Sequence, residues 1–161
     1  MHLEFTKQGR KADYWNDDYI PTDAAYELHL EDTLQLVSMV NEGGSIEVNG
    51  RGTLMAKKSS ILNINRNPRM SQTQAEAIFT QYLGVTNFIW LEGTAGYDIT
   101  DDHIDGTARF ANGNVIVTHD RENFLKPSEY DVLTAATDAN GRATLPVCSF
   151  ASHGEQGACD Q

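Results

Sequence analysis

Residues 46–91 read IEVNGRGTLMAKKSSILNINRNPRMSQTQAEAIFTQYLGVTNFIWL. Ser71 followed by Gln74 has the pattern of a capping box, in which the serine hydroxyl takes one orphan backbone N–H and the glutamine reaches back to another. Ala75, Ile78, Phe79, Tyr82 and Leu83 then fall at i, i+3, i+4, i+7 and i+8, the template of a single buried helical face. Gly84 closes the helix as a C-cap. Upstream, Asn49-Gly50-Arg51-Gly52 predicts a hairpin between two strands, because Asn and Gly accept positive φ. Asn65-Arg66-Asn67-Pro68 breaks the pattern before the helix, since proline lacks a donor and restricts its predecessor. Downstream, VTNFIWLEG has the aromatic and β-branched content of a strand. The stretch therefore reads strand–strand–helix–strand.

The same order returns at 106–150. GTARFANGNVIVTHD predicts a second hairpin turned at Asn112-Gly113-Asn114. Pro127 and Ser128 start a helix through EYDVLTAATDA, Asn140-Gly141 stops it, and ATLPVCSF is a further short strand. Two units about 50–60 residues apart argue for a modular α/β architecture. A single unit could not bury both faces of its own elements. Ahead of them, residues 1–21 are polar and aromatic without a regular period. From Thr22 the pattern becomes helical, with Tyr26, Leu30 and Leu34 four apart on one face. LVSMV is a short strand, and the paired glycines of NEGGS mark a turn or a close backbone approach. SFASHGEQGACDQ has no period, so the expected division is a domain over 1–150 and an aperiodic tail over 151–161.

A length of 161 residues fits one domain, and 40% hydrophobic with 22% charged residues is a globular composition. The net charge of −11 disfavours nucleic acid and anionic membrane and attracts cations. No apolar run approaches the roughly 18 residues that span a bilayer. The N-terminal sequence has no continuous apolar segment of a secretory signal, so a cytoplasmic location is expected. Cys148 and Cys159 make neither a CxxC motif nor a disulfide framework and read as ordinary reduced thiols.

The chemistry-bearing candidates lie in TDDHIDGTARF, residues 100–110, and in NEGGS. In an extended segment His103 and Asp105, two apart, would send their side chains to one face. Taken alone such a pair is most simply a surface or structural pair. A zinc site would need further His or Cys ligands at suitable spacing. His2, His29, His119 and His153 are scattered, so no metal is expected. Asp98, Asp101 and Asp102 read as a solvated loop. Glu42 is either an exposed loop residue or a buried carboxylate in need of a partner, for which a histidine is suited.

EGGSI, GRGT, LNINRNP, SQTQAEAIFTQYLGV, FIWL and HIDGTARF, in that order, resemble the agmatine deiminase family, which includes the bacterial type of peptidyl-arginine deiminase. The resemblance runs from about Tyr14 to Val147, is densest from Glu42 to Thr118, and includes ANGR at 139–142. It implies part of a pentein-type α/β propeller of ββαβ modules, about two complete modules and part of another. It implies hydrolysis of a guanidinium: agmatine and water give N-carbamoylputrescine and ammonia, a step of putrescine biosynthesis, through a cysteine thiolate and without a cofactor. On this resemblance His103 is the general acid/base, Glu42 holds it, and Asp105 grips the guanidinium. The family's RDxGP-like and GGGNIHC-like segments have no counterpart here, and neither Cys148 nor Cys159 sits in the nucleophile's context. The expectation is a fragment, inactive by itself, whose open edges invite self-association. Other readings are a peptidyl-arginine deiminase-like enzyme, a non-catalytic remnant that binds a guanidinium or a partner protein, and an acidic α/β domain with no ligand.

Overall fold

The computed structural model describes residues 2–4, 19–113, 115–137 and 148–149. Its elements run β1 (His2–Glu4), α1 (Ile20–Glu27), β2 (Leu36–Val40), β3 (Ile46–Val48), β4 (Thr53–Lys57), α2 (Lys58–Ile61), α3 (Gln72–Leu83), β5 (Asn87–Leu91), β6 (Ala108–Asn112), β7 (Val115–Thr118), α4 (Pro127–Ala135) and β8 (Cys148–Ser149). They build a pair β1-β2 and two three-stranded sheets, β3-β4-β5 and β6-β7-β8. In each three-stranded sheet an antiparallel hairpin is followed, after a helix, by a parallel strand. Val48 pairs with Leu54 and Leu54 with Phe88 in one; Ala108 pairs with Thr118 and Val117 with Cys148 in the other. The repeated strand–strand–helix–strand order is thus present in both units.

The local reasons are those of the sequence. Ser71 Oγ accepts from the Gln74 N–H at 3.2 Å, and Gln74 Oε1 accepts from the Ser71 N–H at 2.8 Å. Gly84 caps the other end of α3 at φ 68°, in the left-handed region that glycine adopts without strain. Ala75 and Phe79 are buried at the centre of the apolar stripe, with Ile78, Tyr82 and Leu83 partly buried beside them.

Strand β4 is buried at every position, because it has a core on each face. Leu54 and Ala56 point to one side, against Ala75 and Phe79 of α3 and against Val37 and Met39 of β2. Met55 points to the other, with Ile89, Leu91, Ile104, Ala108, Ile116 and Leu133. The period of two along a strand therefore links the two sheets through one shared element. No helix among the described residues is long and apolar enough to cross a membrane.

Three local expectations need correction. The polar N-terminal stretch contains a strand: β1 pairs in parallel with β2. Helix α1 ends at Glu27, and His29 at φ 55° turns the chain, so the four-residue spacing does not continue as one face. Tyr26 and Leu30 are exposed, and Ala25 is the buried residue. Helix α4 stops at Ala135; Ala136 is extended, and the Thr137 carbonyl accepts from Asn87 Nδ2 at 2.7 Å rather than extending the helix. Asn140-Gly141, ANGR at 139–142, Cys159 and the tail 151–161 lie outside the described residues.

Candidate active site

The site starts from the backbone after β2. Glu42 is extended (φ −99°, ψ 147°) and Gly43–Ser45 make a tight 3-10 turn. Ser45 Oγ lies within hydrogen-bonding distance of both the Glu42 carbonyl, at 2.6 Å, and Asn41 Oδ1, at 2.7 Å, which pins the turn. Asn67 holds the strand end before it: its amide accepts from Val40 N at 2.8 Å and donates to Val40 O at 2.7 Å and to Ile61 O at 2.9 Å. The break at NRNP is therefore also a structural clamp.

Against this turn lies a second one. His103 is extended (φ −63°, ψ 152°), and Ile104–Gly106 form a 3-10 turn whose Ile104 is fully buried. His103 and Asp105 are not on an extended strand, as their spacing suggests. They come together because they flank a side chain driven into the core. Gly44 sits where both arrive. A Cβ on Gly44 would stand 2.5 Å from Asp105 Oδ2 and 2.7 Å from His103 Nδ1. Its left-handed freedom is not at issue; the space of the missing side chain is what the two groups occupy.

His103 Nε2 hydrogen-bonds Glu42 Oε2. An ionised carboxylate only accepts, so Nε2 carries the proton and Nδ1 is the nitrogen beside Gly44 and Asp105. Glu42 is itself held by Arg66, which donates from Nε and Nη2 to its two oxygens, each at 3.0 Å. The third guanidinium nitrogen, Nη1, reaches Asp101 Oδ2 at 2.6 Å. Arg66 has no exposed side-chain surface, so these charges are held where attraction is strong and loss of a partner is costly.

Asp101 and Asp102 are not solvated. They are 1% and 6% exposed, and each is bound by an internal cation. Asp102 pairs with Lys57 Nζ at 2.5 Å, and that ammonium also donates to Thr107 Oγ1 at 2.6 Å. Both aspartates have positive φ, 61° and 72°, a conformation that costs a non-glycine residue roughly 1–2 kcal/mol. Their side chains also accept from backbone N–H groups, Asp101 from Gly96 at 2.6 Å and Asp102 from Thr94 at 3.0 Å. Asp98 does remain exposed and caps the same loop. Burial alone would raise its carboxyl pKa. Hydrogen bonds from the Thr100 hydroxyl and from the Asp102 and Thr100 N–H groups, with the nearby His103, hold it below the usual carboxylate range instead.

The charges around His103 are thus sorted. Arg66 takes Glu42 and Asp101, and Lys57 takes Asp102. Asp105 is exposed and has no hydrogen-bond or ion-pair partner among the described residues. His103 and Asp105 border a cavity of about 310 Å³ that Lys57, Asp102, His119 and Glu129 also line. Among the described residues no group of three or more His, Cys, Asp or Glu is arranged to hold a metal. Cys148 lies in β8, whose backbone pairs with β7 at Val117.

Sequence reasoning missed Arg66 and Lys57. Each looks locally like an ordinary surface cation, and each finds its partner 24–45 residues away. The one available signal was the position of Arg66 between two asparagines just after β4 and α2, where a pattern break left its side chain free to turn inward.

Comparison with known proteins bears on the family and the fold. The sequence model of the Porphyromonas-type peptidyl-arginine deiminase family matches residues 1–151, and the chain belongs to that family. A Yersinia pseudotuberculosis protein named "Putative agmatine deiminase" is 34% identical over 140 residues, 83% of this chain and 38% of that protein. The chain therefore spans well under half the length of this curated relative. Among solved structures, a Campylobacter jejuni agmatine deiminase variant with substrate bound superposes with a TM-score of 0.68 at 29% identity, over 94% of this chain and 47% of that one. An Enterococcus faecalis agmatine deiminase superposes with a TM-score of 0.67 at 28% identity, over 79% and 36%. The mixed α/β fold is that of these deiminase structures.

Proposed function

We propose that this chain carries the proton-transfer and guanidinium-gripping part of an agmatine deiminase site. One observation carries the reading: His103 Nδ1 and the Asp105 carboxylate, unpaired among the described residues, meet over Gly44 at the cavity wall, while Glu42 holds the far side of the ring. A guanidinium is planar, permanently charged and rich in N–H donors, so it suits a carboxylate that has no cation of its own. The relatives named for agmatine deiminase favour agmatine as the substrate.

In this reading a thiol gives its proton to His103 Nδ1, and the resulting thiolate attacks the guanidinium carbon and forms a C–S bond. The C–N bond to the departing nitrogen breaks as His103 Nδ1 gives it a proton, and ammonia leaves. His103 then takes a proton from water, whose oxygen adds to the same carbon. The C–S bond breaks, His103 Nδ1 returns its proton to the sulfur, the remaining water proton passes to the released ammonia, and N-carbamoylputrescine is released. Proton transfer of this kind contributes about 10²–10⁴ in rate. Asp105 binds the guanidinium N–H groups, and Glu42 keeps the imidazole in the Nε2–H form. The thiolate is assigned to no described side chain. The two ββαβ sheets are read as modules of a pentein-type propeller, supported by their repeated strand order.

Isothermal calorimetry of the 161-residue chain tests the reading. Agmatine is expected to bind, putrescine to bind far more weakly, and Asp105→Asn to abolish the difference. Equal binding of agmatine and putrescine would reduce the site to a general attraction of cations by an acidic protein. Because the family model is named for peptidyl-arginine deiminase, an N-acyl-arginine amide belongs in the same series. Preference for it over agmatine would move the substrate to a protein-borne arginine.

A further inference from the structure

We infer that Arg66 is a positioning residue for His103, acting on it by two separate routes at once. This rests on the reading of His103 as the proton carrier. The first route is through the ring: Nε and Nη2 hold both oxygens of Glu42, and Oε2 of that carboxylate receives His103 Nε2–H. The second is through the backbone: Nη1 holds Asp101, two residues before His103, at φ 61°.

The geometry makes the guanidinium a hub rather than a simple counter-ion. All three of its nitrogens are used, in two directions, and it is fully buried. A bidentate fork fixes the plane of the Glu42 carboxylate, whereas a point charge such as an ammonium would leave it free to rotate. That plane decides where Oε2 lies, and so where the imidazole turns. Asp101 meanwhile cannot relax out of the left-handed region without giving up both Arg66 and the Gly96 N–H. Asp102, also left-handed, is fixed independently by Lys57. The backbone entering His103 is therefore wound by two internal cations, of which Arg66 alone also reaches the ring.

A purely structural role for Arg66 would be to neutralise buried carboxylates, which lysine can do. A positioning role needs the fork. The test is ¹⁵N NMR of the His103 ring in the 161-residue chain, comparing wild type with Arg66→Lys. In the wild type the two ring nitrogens should be well separated, with Nε2 protonated, and the ring should show an NOE to Gly44. In Arg66→Lys, with the Phe79 and Leu54 core resonances kept, the two nitrogen shifts should draw together and the Gly44 NOE should weaken. Should Arg66→Lys fail to fold, Asp101→Asn replaces it. That variant keeps the shape and all of Glu42 but removes the carboxylate charge that faces Arg66 Nη1. Positioning then predicts faster amide exchange over 98–103 and a displaced His103 ring resonance. Unchanged His103 signals in a folded variant would overturn the inference. This experiment uses no ligand, so it fails or succeeds separately from agmatine binding.

Discussion

Gly44→Ala is the sharpest perturbation of the site, because it adds one methyl group at the point where the proposed acid/base and the proposed substrate clamp meet. The new carbon would stand 2.5 Å from Asp105 Oδ2, 2.7 Å from His103 Nδ1 and 2.9 Å from Asp105 Cγ. Unstrained contacts with carbon begin near 3.5 Å, so the two polar groups must retreat by about 1 Å. The Asp105 side chain ends at the surface and can rotate away, so the fold should lose less than about 1 kcal/mol. The site cannot absorb the same shift, because productive geometry is held to roughly 0.5 Å. A charge-assisted hydrogen bond of about 1.5–3 kcal/mol is at stake, which corresponds to roughly ten- to hundredfold in affinity. Chemical denaturation and agmatine calorimetry on the same preparation separate the two effects. Wild-type affinity in Gly44→Ala would refute the placement of Asp105 and His103 over this glycine. Global unfolding would refute the claim that the space serves the site rather than the fold.

Lys57→Met should destabilise the chain by about 3–5 kcal/mol in urea, since Asp102 would be left buried without its cation; adding Asp102→Asn should recover most of that loss. Asp98→Asn should lower the melting temperature at neutral pH through the loop that carries His103. Because the Asp98 carboxyl titrates below 3.8 in the fold, its contribution is fully present above that value and fades as pH falls through the depressed one, so wild type and variant should converge in acid. Phe79→Ala, which empties the centre of the α3 core, should cost about 3–5 kcal/mol in the same denaturation assay and leave agmatine binding per folded molecule unchanged.

Local physics made much of the fold legible. The capping box at Ser71, the left-handed Gly84, the two hairpins and the repeated strand order are all written in neighbouring residues, and neighbouring residues determine them. The meeting of Glu42 with His103 was implied by the family resemblance; the residues alone left Glu42 either exposed or a buried carboxylate for which a histidine is a suitable partner. The polar network behind them was not legible. Asp101 and Asp102 resemble a hydrated acidic loop, and Arg66 resembles the charge before a proline-containing turn. Their burial follows from pairing across 35 and 45 positions of sequence, which no window of local pattern contains. Acidic and basic side chains are rarely fully buried unless paired, so sequence pattern favours the surface until the partner is seen. His103 and Asp105 converge for a different reason than their spacing suggests: Ile104 enters the core and leaves its neighbours on either side of it.

The most direct measurement is a crystal structure of the 161-residue chain with agmatine. The account predicts the guanidinium plane against the Asp105 carboxylate above Gly44, with His103 Nδ1 facing it and Nε2 still on Glu42. A guanidinium lodged elsewhere in the cavity with Asp105 turned to solvent, or a His103 ring swung away from Glu42, would contradict it.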